Sequence, residues 1–122
     1  MALFRCLQDG VHRTFVIELT DAKLVKQARA IAQGNETVRV HVIGKIVKEP
    51  RTYNKPWSWH LDPGSIEFFE NSTEVCDSSV LFVEEHLAEV GGDFLPHGVW
   101  CPWKSRVIEE VFPDRDGLST LL

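Results

Sequence analysis

The four tryptophans fall into two short segments, and they are the residues of this sequence best suited to binding chemistry. One residue separates Trp57 from Trp59, and two residues separate Trp100 from Trp103. If the two segments adjoin, the indole rings form an aromatic wall, because they pack well and each N–H needs a hydrogen-bond partner. We expect such a wall to line a ligand-binding surface. The alternative is a second hydrophobic cluster that only pins the loops.

A histidine and a carboxylate follow the first tryptophan pair. His60 and Asp62 alternate along the chain, so both side chains would lie on one face of a strand. We expect them to complete the Trp-rich surface as ligand-binding residues. Alternatively, the same pair together with His86 and Cys101 could form the site of a small hydrolase or a metal-dependent enzyme.

Complete catalytic and cofactor motifs are absent from the sequence. It contains no Cys-x-x-Cys or His-x-x-x-His pair, no G-x-S-x-G elbow and neither glycine-rich phosphate loop. The sequence therefore predicts no catalytic residue, no metal and no cofactor, and it favours a protein that is not an enzyme.

The loop over residues 48–56 suggests a third function. Pro50 and Pro56 stiffen it, and a rigid protruding loop with a central arginine could enter a protease pocket as an inhibitor, because preorganisation lowers the cost of binding. The alternative is a plain connection between strands. The residues that would contact the protease are Arg51, Thr52, Tyr53 and Lys55.

Composition and charge restrict the classes of partner. The chain has 122 residues, 43% of them hydrophobic, and a formal net charge of −5. No stripe of Lys and Arg offsets that charge, so nucleic acid is not an expected partner, and a basic partner surface fits better than an acidic one. No apolar run is long enough to cross a membrane. A protein or a small molecule is the expected ligand.

The start of the sequence shows no secretion signal, so a cytoplasmic location is expected. In that compartment Cys6, Cys76 and Cys101 should be free thiols. Export would make a bridge between Cys76 and Cys101 the alternative.

Hydrophobic periodicity predicts about five strands. Apolar and β-branched residues mark the strands 3–7, 14–19, 37–48, 57–61 and 66–75. The Asp9-Gly10 pair predicts a hairpin between the first two, since both residues tolerate positive φ. In the longest strand, a period of two places four residues on one buried face: Val38, Val40, Val42 and Ile46.

Two helices are predicted with defined ends. The first lies between a cap at Thr20 or Asp21 and the terminating Gly34. The second starts after a cap at Asp77 or Ser78 and stops at the glycine pair 91–92.

The segment 103–112 is ambiguous between helix and strand. Trp103, Val107 and Val111 follow each other at helical spacing, and Pro102 suits the first position of a helix, so we favour a helix. An edge strand over 106–112 is the alternative.

The order of elements predicts an α+β domain. Strands follow strands directly after Thr37, which indicates a mainly antiparallel sheet of about five strands in two layers, with two to three helices on one face. A single domain is expected over residues 1–112, followed by a loose C-terminal tail over 113–122.

Several segments together resemble a known family. They are Phe15–Asp21, Trp57–Pro63, Glu74–Asp77, Glu85–Gly92 and Trp100–Trp103. The sequence resembles the small domain at the N-terminus of a calmodulin-binding FNIP-repeat protein and of many short bacterial proteins. The resemblance implies no activity and no catalytic residues. FNIP repeats are absent from this chain, so calmodulin is not an expected partner. Some relatives are exported, which implies the Cys76–Cys101 bridge as a minority alternative.

These observations lead to one favoured function. We expect a non-enzymatic binding or interaction module that uses a Trp-rich surface. Its predicted ligand-binding residues are Trp57, Trp59, His60, Asp62, Trp100 and Trp103. The protease inhibitor and the small hydrolase or metal-dependent enzyme remain the alternatives.

Overall fold

The computed structural model describes residues 1–71 and 74–112, so the predicted tail 113–122 lies outside the described residues. The strands are β1 Ala2–Gln8, β2 Arg13–Leu19, β3 His41–Val47, β4 His60–Leu61, β5 Glu67–Phe69, β6 Val90–Gly91, β7 Phe94–Pro96, β8 Val99–Trp100 and β9 Ser105–Val111. The helices are α1 Ala22–Ala32 and α2 Val80–Glu85, with 3₁₀ turns at Thr52–Asn54, Pro63–Ser65, Glu74–Cys76 and Leu87–Glu89. The fold is α+β with mainly antiparallel sheets and two α-helices in this part of the chain.

The predicted hairpin is confirmed and begins a three-stranded sheet in the order β2-β1-β9. β1 and β2 are antiparallel and pair from Ala2 opposite Leu19 to Gln8 opposite Arg13. The turn over 9–12 joins them, and Gly10 there has a φ of +90°. One face of this sheet contributes to the main core, and the other carries a small cluster of Leu3, Val16 and Val111 under Tyr53.

Helix α1 forms as the sequence predicts. The Asp21 carboxylate accepts a hydrogen bond from the Lys23 N–H at 2.7 Å, which caps the first turn. Gly34, at a φ of +79°, follows the end of the helix. Arg29 makes two hydrogen bonds to the Glu110 carboxylate, at 2.9 and 3.1 Å, which join α1 to β9.

Strand β3 organises the second sheet and pairs antiparallel with β4, β5 and β8. Val42 and Ile46 are buried on it as predicted. Gly44 is a close packing site, because a Cβ there would lie 3.2 Å from Leu61 Cδ1.

The predicted start of this strand at residue 37 is wrong. The Glu36 carboxylate accepts hydrogen bonds from the N–H groups of Val38 and Arg39, and these bonds lower the pKa of Glu36. The backbone therefore turns before it enters the sheet, and Val38 is 52% exposed instead of sharing the buried face.

The last predicted helix is also wrong, because Ser105–Val111 is the strand β9, paired with β1. A spacing of four residues is a multiple of two, so Trp103, Val107 and Val111 fit a strand face as well as a helix face. A register shift between Arg5 and Cys6 then places Val107 in the main core and Val111 in the cluster on the other face.

Three other predicted elements are shorter in the structure. Among the described residues, only His60–Leu61 of the predicted strand 57–61 and Glu67–Phe69 of the predicted strand 66–75 pair in a sheet. Helix α2 begins later than predicted, because its cap is Ser79, whose hydroxyl accepts from the Phe82 N–H at 3.1 Å. No helix among the described residues is long and apolar enough to cross a membrane.

Replacing Asn54 tests how the two larger sheets are held together. Its buried side chain accepts from the Val16 N–H at 2.7 Å and donates to the Trp59 carbonyl at 2.9 Å. Asn54→Ala would leave both groups without these partners, so we expect the free energy of unfolding to fall by about 2–4 kcal/mol. Urea unfolding measures this. Thr52→Ala in the same turn is exposed and should change stability by less than about 0.5 kcal/mol. Equal effects from the two variants would contradict the bridging role of Asn54.

Candidate functional site

Three of the four tryptophans meet in the core. Trp59 and Trp100 lie edge to face, with ring centroids 5.2 Å apart, and Trp57 stacks on Trp59 at 6.2 Å. Phe15 of β2 closes the cluster, at 4.9 Å from Trp100. The prediction that the two segments adjoin is confirmed for these three residues. Trp59 and Trp100 are fully buried and Trp57 is 8% exposed, so these rings form core packing here, not an open aromatic wall.

Two of the three buried indoles also make hydrogen bonds. Trp57 Nε1 donates to the Thr14 carbonyl at 2.8 Å, and Trp100 Nε1 donates to the Ser78 carbonyl at 3.0 Å. These bonds tie the cluster to β2 and to the segment before α2. Trp57 and Trp100 therefore fix the backbone on which surface residues stand.

His60 and Asp62 serve the local backbone. His60 is 3% exposed, and its Nδ1 lies 2.7 Å from the Glu49 carbonyl oxygen. The Asp62 carboxylate accepts from the Gly64 N–H at 3.1 Å and caps a 3₁₀ turn. His86 lies elsewhere, stacked on Phe82 with ring centroids 3.8 Å apart. Within residues 1–71 and 74–112, no three His, Cys, Asp or Glu side chains are grouped as a metal site would require.

The expectation of three free thiols is corrected. Cys76 and Cys101 form a disulfide, with Cα atoms 5.1 Å apart, and the Cys101 N–H donates to the Cys76 carbonyl at 2.7 Å. Cys101 therefore has no thiolate to act as a nucleophile. Cys6 is the free cysteine; it is fully buried in β1, and burial raises the pKa of its thiol far above the ordinary value.

The predicted inhibitory loop is partly anchored to the sheet. Arg51, Thr52 and Lys55 are exposed, but Tyr53 is half-buried and packs on the small apolar cluster. Arg51 is extended, while the three residues that follow it form a 3₁₀ turn. A substrate-like inhibitor would present an extended backbone on both sides of the arginine. Here the 3₁₀ turn interrupts that backbone directly after Arg51. The inhibitor hypothesis stays a prediction.

The fourth tryptophan stands apart from the core. Trp103 is half-buried and lines an open groove of about 470 Å³, which we call the Trp103 groove. Its walls come from the end of β1 and the hairpin turn, the segment before α2, and the residues before β9. The lining residues are Gln8, Asp9, Gly10, Val11, Asp77, Ser78, Ser79, Trp103 and Lys104.

Hydrogen bonds hold the walls of this groove together. The Gln8 amide donates to the Ser78 carbonyl at 2.9 Å and accepts from the Val80 N–H at 2.8 Å. The Asp77 carboxylate accepts from the backbone N–H of Trp103 at 3.0 Å. The groove therefore places the Trp103 side chain beside groups of both charges on a backbone held by hydrogen bonds.

Most of this groove has no signal in the sequence. Gln8 and Lys104 carry no motif, and Asp77 is predicted only as a helix cap. Pairing of β1 with β9 brings Gln8 opposite Ser105, next to Lys104, and no short-range pattern shows that pairing.

One comparison with known proteins gives a match. The model of the family described as the BP-74 N-terminal domain matches residues 1–114. This match confirms the resemblance to a small N-terminal domain that the sequence motifs indicated. No curated protein and no solved structure matches the chain.

Reduction tests the disulfide. The unreduced, denatured protein should titrate one thiol, that of Cys6, and the native protein should react slowly because this thiol is buried. The bridge closes a sequence separation of 25 residues. Its reduction should lower the free energy of unfolding by about 3 kcal/mol.

Two variants control this experiment. The effect of reductant should persist in Cys6→Ala and vanish in the double variant Cys76→Ala, Cys101→Ala. Three reactive thiols in the unreduced, denatured protein would contradict the bridge.

The raised pKa of Tyr53 predicts a loss of stability at high pH. Burial, with a smaller contribution from Glu18, raises the pKa of Tyr53 from 10.0 to about 12, while Arg51 opposes the shift. Between these values the unfolded chain loses the phenolic proton and the folded chain keeps it. The contribution of this phenol to stability is therefore complete below pH 10.0 and is lost as the pH rises toward about 12.

Thermal unfolding of the wild type and of Tyr53→Phe measures this loss. The difference between their thermal midpoints should stay constant below pH 10.0 and shift above it, with the wild type losing more stability than the variant. Parallel curves across the whole range would remove Tyr53 as the cause.

Proposed function

The chain belongs to the BP-74 N-terminal domain family, and we propose on that premise that it is a non-enzymatic binding module whose ligand occupies the Trp103 groove. One observation carries the proposal. Three tryptophans are used in the core, whereas Trp103 keeps part of its indole at an open groove of about 470 Å³. Partly exposed Trp is costly to leave in water and is enriched at binding sites, where it supplies a large apolar contact.

The polar groups of the groove define what it can accept. Asp9 and Asp77 supply carboxylates and Lys104 supplies an ammonium group. An Asp9 carboxylate oxygen is already 3.5 Å from Nε of Arg106, and the Asp77 carboxylate accepts a hydrogen bond from the backbone N–H of Trp103. A ligand with an apolar portion over the indole and hydrogen-bonding groups beside it fits this surface. Both a small molecule and a short peptide have that character.

The state of the residues considered for catalysis supports binding instead. His60 is 3% exposed, which keeps its imidazole away from a substrate, and Cys101 is bonded to Cys76. A hydrolase built on them would need a free base and a free nucleophile.

We also propose that the domain acts in an oxidising compartment and not in the cytoplasm. The Cys76–Cys101 bridge supports this, since structural disulfides persist in oxidising environments and are rare in the cytosol. Free Cys6 fits either compartment, because its burial protects it.

Trp103→Ala tests the proposed site. Peptides selected from a phage-displayed random library on the wild-type domain should lose at least about tenfold in affinity for the variant, because the apolar contact is removed. Lys104→Ala, on the same wall, should weaken binding in the same direction. Isothermal titration calorimetry measures both.

Phe94→Ala is the matched control, since Phe94 is a half-buried aromatic residue that lines a different groove. Selected peptides should bind this variant and the wild type alike. Selection of binders that ignore both Trp103 and Lys104 would reject the groove as the site. Circular dichroism checks that each variant is folded.

A further inference from the structure

A second groove lies on the other side of the hairpin turn. It has a volume of about 460 Å³, and we call it the Trp57 groove. The start of β2, the loop before Trp57 and the first turn of α2 form its walls. The lining residues are His12, Arg13, Thr14, Lys55, Pro56, Trp57 and Leu81. It shares no residue with the Trp103 groove, so ligand binding here does not depend on the proposed function.

Among the described residues, the ionisable groups that line this groove are all basic. Arg13 and Lys55 are cations, and His12 adds an imidazole, whereas no carboxylate of the described residues lines the groove. This contrasts with a whole chain of net charge −5. Glu84, one turn beyond Leu81 in α2, directs its carboxylate to Ser58, accepting from the backbone N–H at 2.9 Å and the hydroxyl at 2.6 Å.

Arg13 is unusual among the arginines. Within the described part of the chain, four arginines lie within 4 Å of a carboxylate oxygen: Arg5, Arg29, Arg51 and Arg106. Arg13 has no such ion pair with the described residues. Arg39 shares that property, but the grooves it lines also contain carboxylates, those of Glu67 and Glu70 among them.

The backbone that carries these cations is held in place. Thr14, next to Arg13, accepts the hydrogen bond from Trp57 Nε1. Asn54, next to Lys55, is buried and bonded to β2 and to the Trp59 carbonyl. A ligand therefore meets groups whose main-chain positions are already fixed, which lowers the entropy lost on binding.

An apolar side chain stands beside the cations. Leu81 lines the groove and is 41% exposed. An occupant that carries only charge would leave this side chain in water. The surface fits an occupant that combines carboxylates with an apolar side chain.

We propose that the Trp57 groove binds an acidic segment of a partner polypeptide, with carboxylates at Arg13 and Lys55 and an apolar side chain on Leu81. Carboxylates suit the guanidinium of Arg13, which can donate two parallel hydrogen bonds. A nucleic acid is disfavoured, because its long run of phosphates would meet the net negative charge of the rest of the chain. A short acidic segment avoids that repulsion.

The test uses a fluorescein-labelled octapeptide of alternating Glu and Leu, with fluorescence anisotropy as the readout. Binding to the wild type should weaken as salt is raised from about 50 to 300 mM, since the contact is ionic. The double variant Arg13→Gln, Lys55→Gln should lose at least about tenfold in affinity. Leu81→Ser should also bind the peptide more weakly, but its binding should depend on salt as that of the wild type does, because this variant removes the apolar contact only.

The matched control is Lys23→Gln, Lys26→Gln, which removes the same two charges from the exposed face of α1. It should bind the peptide as the wild type does. The proposal would be overturned if the control lost as much affinity as the double variant, or if a Gln–Leu peptide bound as tightly as the Glu–Leu peptide. It would also be overturned if a single-stranded oligonucleotide bound more tightly than the peptide, or if no binding were detected at about 1 mM peptide.

Discussion

The structure depends on the aromatic contacts that join its two larger sheets. Trp59 precedes β4 and Trp100 lies in β8, both beside β3, while Phe15 belongs to β2 in the other sheet. The rings meet edge-on or tilted, with centroids 4.9 to 6.3 Å apart. Each such pair contributes about 0.5–1.5 kcal/mol beyond the burial of its area. The strands beside β3 are only two or three residues long, so side-chain packing must supply the cohesion that long ladders give elsewhere.

The same contacts position the surface grooves. The Ser78 carbonyl accepts from both Trp100 Nε1 and the Gln8 amide, so one backbone oxygen joins the core, β1 and the segment before α2. The Cys76–Cys101 disulfide ties that segment to the chain after β8. On the other side, Trp57 holds Thr14. Trp57 and Trp100 thus hold the backbone of both grooves from within.

Local signals in the sequence predicted local structure well. Helix α1 has a cap, an apolar stripe and a terminal glycine within a few residues, and all three are found. The hairpin has a turn pair between two strand-like runs. Strand β9 could not be assigned in this way, because apolar residues four apart satisfy both periods and the deciding fact is its pairing with β1, about a hundred residues away. Trp57, Trp59 and Trp100 form the buried cluster that the sequence allowed as the alternative to an aromatic wall. Local spacing could not decide between the two, since it carries no information on which face meets the second sheet.

The net charge of the chain carries less information about partners than the local charge at each groove. A total of −5 favours a basic partner only if the charges are spread evenly over the surface. In the folded chain Glu109 and Glu110 of β9 are paired with arginines of β1 and α1, and Glu84 is bonded to Ser58. Arg13 is left without such a partner among the described residues, and the fold brings it to one groove with Lys55, 42 positions later in the numbering. Salt screens charges beyond a Debye length of about 8 Å, so a ligand in this groove responds mainly to the nearby cations and little to the net charge of the whole chain.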